Sequence, residues 1–380
     1  MTTERAPGAR IHVVRFAPAK LNLTLAVVGR REDGYHALHS IMVPLSLGDA
    51  LTASASPPGA VRDSLRVTGL ALSSAPDNLV LRAIAAAREV VAATWPGAPA
   101  DPPPLAARLA KRIPVAAGLG GGSSDAAAAI QAALAVWSTT LDADALASLA
   151  ASLGSDVPFF LAGGVALITG RGERVEALPD IHGEPLAVLL VTPQVAVATA
   201  TVFGAYAAGA RGSDERAAEI SEHLAAEMRA GGLTSAALVV RTAELAGAND
   251  LRAAAASLVP GLAGFLTALE KLVDRPVCQS GSGPTLWTLY PTLAEARKAA
   301  RFVRLGAVNG TLPLVGTGEP FIAATTIAAR HAPPSAEPPS RTTGTIRPRT
   351  VHNGFDAGGH GPAGPAAEPT ESKGDRLDES

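Results

Sequence analysis

The spacing of apolar residues predicts mainly strands in the first third of the chain. Short apolar runs are bounded there by Gly, Pro and charged turns, which is typical of β-strands. Strands are predicted at Ile11–Phe16, Leu21–Val28, Ile41–Leu47, Ser64–Leu70 and Leu105–Ile113. The triplet that begins at Pro76 carries helix-start residues ahead of a helical apolar spacing, so a helix is predicted over Leu79–Trp95.

Alanine-rich segments predict mainly helices after residue 120. Helices are predicted from Ser123 or Ser124 onwards, and at Ala145–Leu153, Ser213–Ala230, Ala236–Ala246 and Leu262–Leu272. Strands are predicted at Phe159–Leu161, at Val165–Thr169, directly after Glu184, and at Thr285–Tyr290. Because Pro158 disfavours a helical conformation in the preceding residue, Val157 is expected to be extended.

The character of the chain changes twice, which indicates three regions. Mixed strands and helices give way near residue 180 to one apolar strand followed by long helices, so domains are predicted at 10–180 and 181–330. Residues 331–380 are rich in Pro and Gly and poor in large apolar residues. Such a segment buries too little surface to offset the entropy of ordering, so it is predicted to be a disordered tail.

Composition narrows the class of protein. With 380 residues the chain is long enough for two domains, and a formal charge of −2 gives no indication of nucleic-acid or membrane binding. The single cysteine, Cys278, excludes an internal disulfide and favours a reducing compartment. Met1–Arg10 lacks the apolar core of a secretory signal. A cytoplasmic protein is therefore expected.

The stretch Pro114–Ile130 is the clearest candidate for a binding site. Four glycines fall within five residues and are followed by Ser123, Ser124 and an alanine run. Glycine lets the backbone approach a ligand closely, and a helix that begins here directs its unpaired N–H groups and positive dipole end into the loop. The pattern predicts an anion site suited to phosphates. The alternative is a flexible turn with a Ser N-cap.

Two common glycine motifs fit this stretch poorly. A P-loop requires a Lys-Ser or Lys-Thr pair after the last glycine, whereas Ser123 and Ser124 follow with no lysine. A dinucleotide-binding loop requires an acid about twenty residues on, at the end of a second strand. Asp142 and Asp144 lie near that distance but begin a predicted helix. Another class of phosphate loop is favoured.

Three further positions carry candidate chemistry. Lys20 lies on or beside a predicted strand, where it either meets an anion or discourages strand pairing at an edge. Asp156 lies in a turn between apolar segments, where an acid is a cap or a catalytic base. The small-residue cluster Ser280–Gly283 either lines a ligand cleft or forms a hairpin turn.

Together these motifs resemble the GHMP small-molecule kinases. The phosphate loop of that superfamily, Pro-x-x-x-Gly-Leu-x-Ser-Ser, matches Pro114–Ser124 with extra glycines. The segments Ala17–Leu23, Gly29–His36, Gly154–Phe160 and Ser280–Gly283 match the branch that acts on diphosphocytidyl-methylerythritol. The resemblance implies an α+β, two-domain GHMP kinase fold, with an ATP-binding N-terminal domain like domain 2 of ribosomal protein S5 and a ferredoxin-like C-terminal domain.

The resemblance also implies a reaction and a set of site residues. ATP would phosphorylate the 2-hydroxyl of diphosphocytidyl-methylerythritol, with Mg²⁺ as cofactor, in isoprenoid precursor synthesis. Lys20 and Asp156 would be catalytic, with Asp156 the general base. ATP would be bound by Asn78, Lys111, Pro114, Val115, Ala116, Ala117, Gly118, Leu119, Gly120, Gly121, Gly122, Ser123 and Ser124. The substrate would be bound by Asn22, Tyr35, His36 and Thr199. Ser124 would be the first choice as a metal ligand.

Some positions depart from the family pattern and leave alternatives open. Gly204 stands where some relatives carry a lysine, so one charged substrate contact is absent or supplied elsewhere. Asp125 follows the loop, where it either organises Mg²⁺ or caps the helix. The alternatives are a mevalonate- or homoserine-type kinase of the same fold, a non-catalytic nucleotide-binding relative, and a nicotinamide-dependent oxidoreductase. A monomer or weak homodimer is expected.

Overall fold

The apolar runs of the first third form strands, but the strand predicted at Leu21–Val28 is divided between two strands, His12–Asn22 and Ala26–Arg30. A computed structural model describes residues 12–32, 34–70, 77–94, 102–209 and 216–329. The strands are β1 (His12–Asn22), β2 (Ala26–Arg30), β3 (His36–Ala55), β4 (Ser64–Gly69), β5 (Leu105–Lys111), β6 (Ala166–Gly170), β7 (Arg174–Ala177), β8 (Ala187–Thr192), β9 (Cys278–Gln279), β10 (Leu286–Tyr290) and β11 (Phe321–Thr326). The predicted tail at 331–380 lies outside the described residues.

The helices follow the alanine-rich segments. They are α1 (Leu79–Thr94), α2 (Gly121–Trp137), α3 (Ala143–Leu153), α4 (Val157–Ala162), α5 (Thr199–Ala207), α6 (Arg216–Arg229), α7 (Ser235–Val240), α8 (Thr242–Ala246), α9 (Arg252–Leu258), α10 (Leu262–Val273) and α11 (Leu293–Val308). The side chain of Asp142 accepts a hydrogen bond from the Ala145 amide and caps α3, as its sequence position predicts.

Strand β3, 20 residues long, organises the larger sheet. On one edge it pairs antiparallel with β2 and then β1, and on the other with β6 and then β5. β4 joins β5 in parallel and β7 joins β6 antiparallel, which gives seven strands within the described ranges. This arrangement places the end of β1, with Lys20 and Asn22, opposite Pro44 and Met42 of β3.

The second sheet is antiparallel in the order β11-β8-β10-β9. β8 is apolar and buried along its whole length because it is covered on both faces. Since side chains alternate along a strand, Val188 and Leu190 pack into a core shared with the first sheet. Leu189 and Val191 pack on the other side, into a core that includes Phe265 of α10.

Helix α2 covers the opposite face of the first sheet. It contacts β1, β3, α1 and α4, and its buried face consists mainly of alanine. Small side chains allow the helix backbone to lie close to the sheet, so the start of α2 is held firmly against β1. The predicted helix begins two or three residues too late, since α2 begins at Gly121 and not at Ser123 or Ser124.

Three other predicted elements differ from the structure. Phe159–Leu161 is helical and not a strand, and Val157 is the first residue of helix α4 rather than extended. Pro158 lies in the first turn of α4, where its missing N–H has no helical partner to lose. The single helix predicted at Ala236–Ala246 is divided at Arg241 into α7 and α8.

The chain passes from one sheet to the other between Ala177 and Ala187. The predicted division into 10–180 and 181–330 stays a prediction. Within the described ranges, no single helix is long and apolar enough to cross a membrane. α9 and α10 satisfy the length and composition criteria only as a pair, and they are bent by 119°.

Candidate active site

A cavity of about 780 Å³ lies between the start of α2, the end of β1 and helix α5. Most of the predicted site residues line it: Lys20, Asn22, Tyr35, His36, Lys111, Pro114, Val115, Ala116, Ala117, Gly118, Gly120, Gly121, Gly122, Ser123, Asp156 and Thr199. Three predicted residues, Asn78, Leu119 and Ser124, are described by the structure but do not line the cavity. The side chain of Asn78 caps α1 by accepting a hydrogen bond from the Val80 amide at 2.9 Å.

The glycine loop, Pro114–Gly120, has the backbone of an anion cradle. Gly118 and Gly120 have φ of 77° and 68°, in the left-handed region that glycine adopts without strain. Ser124 donates the first hydrogen bond of helix α2, to the Gly120 carbonyl. The amides of residues 121–123 therefore precede the helical ladder, at the positive end of a 17-residue helix that borders the cavity.

The loop is fixed by contacts from both halves of the chain. Ser280 donates a hydrogen bond to the Gly118 carbonyl at 2.9 Å, and the Lys20 amide donates one to Leu119 at 3.0 Å. A Cβ at Gly118 would lie 2.4 Å from the Ser280 carbonyl oxygen. These contacts argue against a flexible turn, and they place Ser280 beneath the loop.

Lys20 and Asp156 meet beside this loop. The Lys20 ammonium lies 3.7 Å from Oδ2 of Asp156 and donates a hydrogen bond of 2.6 Å to Oδ1 of Asn22. Asp156 precedes α4, yet its side chain makes no capping hydrogen bond. It is 28% exposed, whereas Lys20 is buried. The carboxylate is therefore turned towards the ammonium and the cavity rather than used as a helix cap.

The amide of Asn22 is held in one orientation. Its Nδ2 donates to the Ser40 hydroxyl at 2.8 Å, and that hydroxyl donates its proton to the Thr24 carbonyl at 2.6 Å. Because a hydroxyl has one proton, Ser40 must accept from the NH₂ group of Asn22. The amide oxygen is thereby left to face Lys20. Asn22 and Ser40 are both buried.

Below the loop, Lys111 is held between two acids. Its ammonium donates to Asp49 at 2.5 Å and to Asp125 at 2.7 Å, and all three side chains are buried. Asp49 also accepts from the amides of Arg112 and Ile113, which lead into the loop. Burial raises the pKa of Asp125 to about 7, against the attraction of Lys111. Lys111 borders the cavity, but its charge is already balanced.

The position of Ser124 does not fit the metal ligand expected there. Its hydroxyl is buried, has no hydrogen-bond partner and does not border the cavity. Asp125 accepts a hydrogen bond from Lys111 and does not cap the helix. This contact gives Asp125 a role in pairing with Lys111 rather than in holding Mg²⁺. In the described part of the chain, no group of three or more His, Cys, Asp or Glu side chains is placed to hold a metal ion.

The other end of the cavity is aromatic. The ring of His36 stacks on Phe203 with centroids 5.4 Å apart, and Tyr206 meets it edge-on at 5.8 Å. Tyr35 is 56% exposed and lies beneath the guanidinium of Arg171, at 5.5 Å. These rings form a surface suited to a planar base. Thr199 lies nearby in the lining and shares a hydrogen bond of 3.0 Å with Ser282.

Sequence reasoning missed several residues of this site. Phe203 and Arg171 line the cavity, and Ser40 orients Asn22, but none of them lies in a glycine or acid motif. Phe203 lies four residues after Thr199 on α5, a spacing that places both on one face of a helix and could have indicated it. For Ser40, a buried polar residue in an apolar strand was the available signal.

Comparisons with known proteins agree with these observations. Residues 78–164 match the family model for the GHMP kinases N terminal domain. A 4-diphosphocytidyl-2-C-methyl-D-erythritol kinase of Paramagnetospirillum magneticum is 39% identical over 296 residues, covering 77% of this chain and 93% of the relative. Its namesake in Pelotomaculum thermopropionicum is 38% identical over 293 residues, covering 77% and 94%.

Solved structures agree as well. The crystal structure of a 4-(cytidine 5'-diphospho)-2C-methyl-D-erythritol kinase has 31% identity and a TM-score of 0.59, covering 83% of this chain and 99% of the other. A homoserine kinase from Cytophaga hutchinsonii, at 18% identity and a TM-score of 0.57, covers 87% and 98% and shows the fold alone. The predicted α+β kinase fold of two domains is confirmed. The chain belongs to the GHMP kinase family, in the group formed by its 4-diphosphocytidyl-2-C-methyl-D-erythritol kinase relatives.

Proposed function

We propose that this protein transfers the γ-phosphoryl group of ATP to the 2-hydroxyl of 4-diphosphocytidyl-2-C-methyl-D-erythritol. The observation that carries the proposal is the pairing of Lys20 with Asp156 in a cavity that has two different ends. One end is the glycine loop and the start of α2, which suits a triphosphate. The other end is the aromatic surface around His36, which suits the cytosine ring.

Asp156 is the general base in this proposal. Its carboxylate borders the cavity and makes no capping bond, so it is available to accept the proton of the substrate hydroxyl. The hydroxyl oxygen then forms a bond to the γ-phosphorus as the bond to the ADP oxygen breaks. The proton remains on Asp156 until the phosphorylated product leaves.

Lys20 supplies positive charge at the point of transfer. Its ammonium has three N–H donors, of which Asn22 accepts one, and the 3.7 Å separation from Asp156 is longer than a hydrogen bond. Donors therefore remain for the oxygens of the transferring phosphoryl group. Electrostatic stabilisation of those oxygens is the largest part of catalysis in phosphoryl transfer.

Mg²⁺ enters as part of the nucleotide substrate, Mg·ATP. Because the described residues offer no cluster of three or more His, Cys, Asp or Glu side chains, the metal would be brought by the phosphates, whose charge it would neutralise. The amides at the start of α2 then bind the phosphates directly. Lys111 borders this surface and supports it through Asp49, whereas Asn78 lies outside the lining and caps α1.

The test is an assay of ADP release by the full chain with Mg·ATP and each of three acceptors. Diphosphocytidyl-methylerythritol should support turnover that CDP inhibits, and phosphorus NMR should place the new phosphate on the 2-hydroxyl. Turnover with mevalonate or homoserine instead would assign another substrate to the same fold. ATP binding without ADP release from any acceptor would indicate a non-catalytic relative.

A further inference from the structure

The cavity lining carries positive charge that its ion pairs do not neutralise. Among the described residues, its lining contains the cations Lys20, Arg30, Lys111 and Arg171 and one acid, Asp156. Lys111 is balanced from beneath by two acids, and Lys20 faces Asp156. Within the described ranges no carboxylate forms an ion pair with the guanidinium of Arg171. An arginine at a ligand cavity without a carboxylate partner is suited to binding an anionic ligand group.

The turn between β6 and β7 fixes the place of Arg171. Gly170 and Gly172 flank it with φ of 72° and 117°, and the Arg171 amide donates to the Glu173 carboxylate at 2.7 Å. A Cβ at Gly172 would lie 2.9 Å from Cβ of Ser155, the residue before Asp156. The turn therefore packs directly against the segment that carries the proposed base.

The guanidinium extends from this turn towards the aromatic end. It lies 5.5 Å from the ring centre of Tyr35. Arg171 thus joins the two ends of the substrate path, the aromatic surface for the base and the acid for the hydroxyl. In a cytidine diphosphate ester, the diphosphate is the part that links the base-bearing nucleoside to the acceptor alcohol.

We propose that Arg171 binds the diphosphate of a cytidine diphosphate ester and so selects this class of acceptor over small alcohols without phosphate. The assignment rests on the proposed function. Gly204 lies in the same lining and has no side chain, so it provides no charge there. Arginine suits the role because its planar guanidinium can donate two parallel hydrogen bonds to phosphate oxygens.

The proposal is tested by calorimetric titration of the full chain with CDP and with cytidine, which differ only in the diphosphate. Arg171→Met, which keeps the length of the side chain but removes its charge, should weaken CDP binding by about 10–100-fold. It should change cytidine binding by less than about threefold. Arg171→Lys should recover part of the loss, because it keeps the charge but not the planar pair of donors.

Arg174→Met is the matched control, since Arg174 is exposed on β7 of the same hairpin and does not line the cavity. In steady-state assays, R171M should raise KM for the diphosphocytidyl substrate and leave KM for ATP within about threefold. Equal losses of CDP and cytidine binding would overturn the assignment, because Arg171 would then only support the ring of Tyr35. Loss of CDP binding in Arg30→Met but not in R171M would also overturn it. A wild-type chain that binds neither CDP nor cytidine would refute the proposed function itself.

Discussion

The Lys20 ammonium and the Asp156 carboxylate lie 3.7 Å apart, too far for a hydrogen bond. Lys20 is instead anchored to Asn22 at 2.6 Å, so its position does not depend on the acid. A hydroxyl group and a phosphoryl oxygen can approach the two groups without first breaking a tight ion pair. This geometry supports the proposed role of Asp156 as the general base, because the carboxylate is not hydrogen-bonded to the ammonium.

Replacing Asp156 by Asn tests this role. The change preserves size and removes the proton acceptor, so kcat should fall by about 10²–10⁴-fold, the usual contribution of a general base. KM for ATP should change little, because the amides at the start of α2 are untouched. Asp142→Asn is the control, since Asn caps α3 as well as Asp does. Near-normal turnover in D156N would remove the base from the mechanism.

Replacing Ser40 by Ala tests whether orientation of Asn22 matters for catalysis. Without the Ser40 hydroxyl, the NH₂ group of Asn22 has no acceptor and the amide is free to turn its NH₂ group towards Lys20. The displaced ammonium should lower kcat by about 10-fold or more, with KM for both substrates nearly unchanged.

The control for Ser40 is Ser221→Ala, which removes a buried hydroxyl that bonds Thr24 and His39 but not Asn22. S221A should lose about 1–3 kcal/mol of stability and keep its kcat. Equal effects of the two changes on kcat would show that Ser40 acts only through stability, which urea unfolding measures separately.

The buried cluster of Lys111, Asp49 and Asp125 predicts a pH dependence of stability. The pKa of Asp125 is raised from 3.8 to about 7 in the folded chain, so between these values the folded state binds the extra proton. Stability should therefore fall as pH rises from about 4 to about 7, by at most about 1.4 kcal/mol per pH unit, and level off above.

Asp125→Asn isolates this contribution, because asparagine imitates the protonated acid. The difference between wild-type and D125N unfolding free energies, measured in urea from pH 4 to 8, should shift in favour of D125N as pH rises. Asp49→Asn should instead cost about 3–5 kcal/mol, since Asp49 accepts from Lys111 and from two amides. A pH-independent difference for D125N would contradict the raised pKa.

Gly118→Ala should disrupt the glycine loop. The left-handed backbone at φ 77° costs about 1–2 kcal/mol for alanine. The Cβ would also overlap the Ser280 carbonyl oxygen, which lies 2.4 Å away and is part of the main chain. ATP affinity by titration and Tm should both fall. Gly264→Ala, in an open position on α10, should stabilise by about 0.5–1 kcal/mol.

Local sequence patterns predict the strands and helix caps that depend on neighbouring residues alone. The alternation in Ser64–Gly69 and the cap at Asp142 correspond to the structure almost residue for residue. The sequence does not predict the helix at Val157–Ala162, because Pro158 disfavours a helical conformation in the residue before it, although the first turn of a helix tolerates proline.

The candidate site likewise has residues that the sequence predicts and contacts that it does not predict. The glycine motif, Lys20 and Asp156 carry recognisable local patterns. The contacts that fix them do not, because Asn22 meets Ser40 across 18 residues and Gly118 meets Ser280 across 162. Similarly, the resemblance assigns Lys111 to ATP, but only the register of β3 against β5 and the packing of α2 show that Asp49 and Asp125 already pair with it. Long-range pairing of this kind leaves no period in the sequence.

The hydrogen bond from Ser280 to the loop has a consequence for how the enzyme is made. All the glycines of the motif have been synthesised once the chain reaches residue 122. The groups that hold Gly118 are synthesised about 160 residues later. A nascent chain thus carries the glycine motif for about 160 residues of further synthesis before the groups that hold the loop exist. Release of the chain short of residue 285, or cleavage between the two sheets, should leave the motif intact and the site unformed.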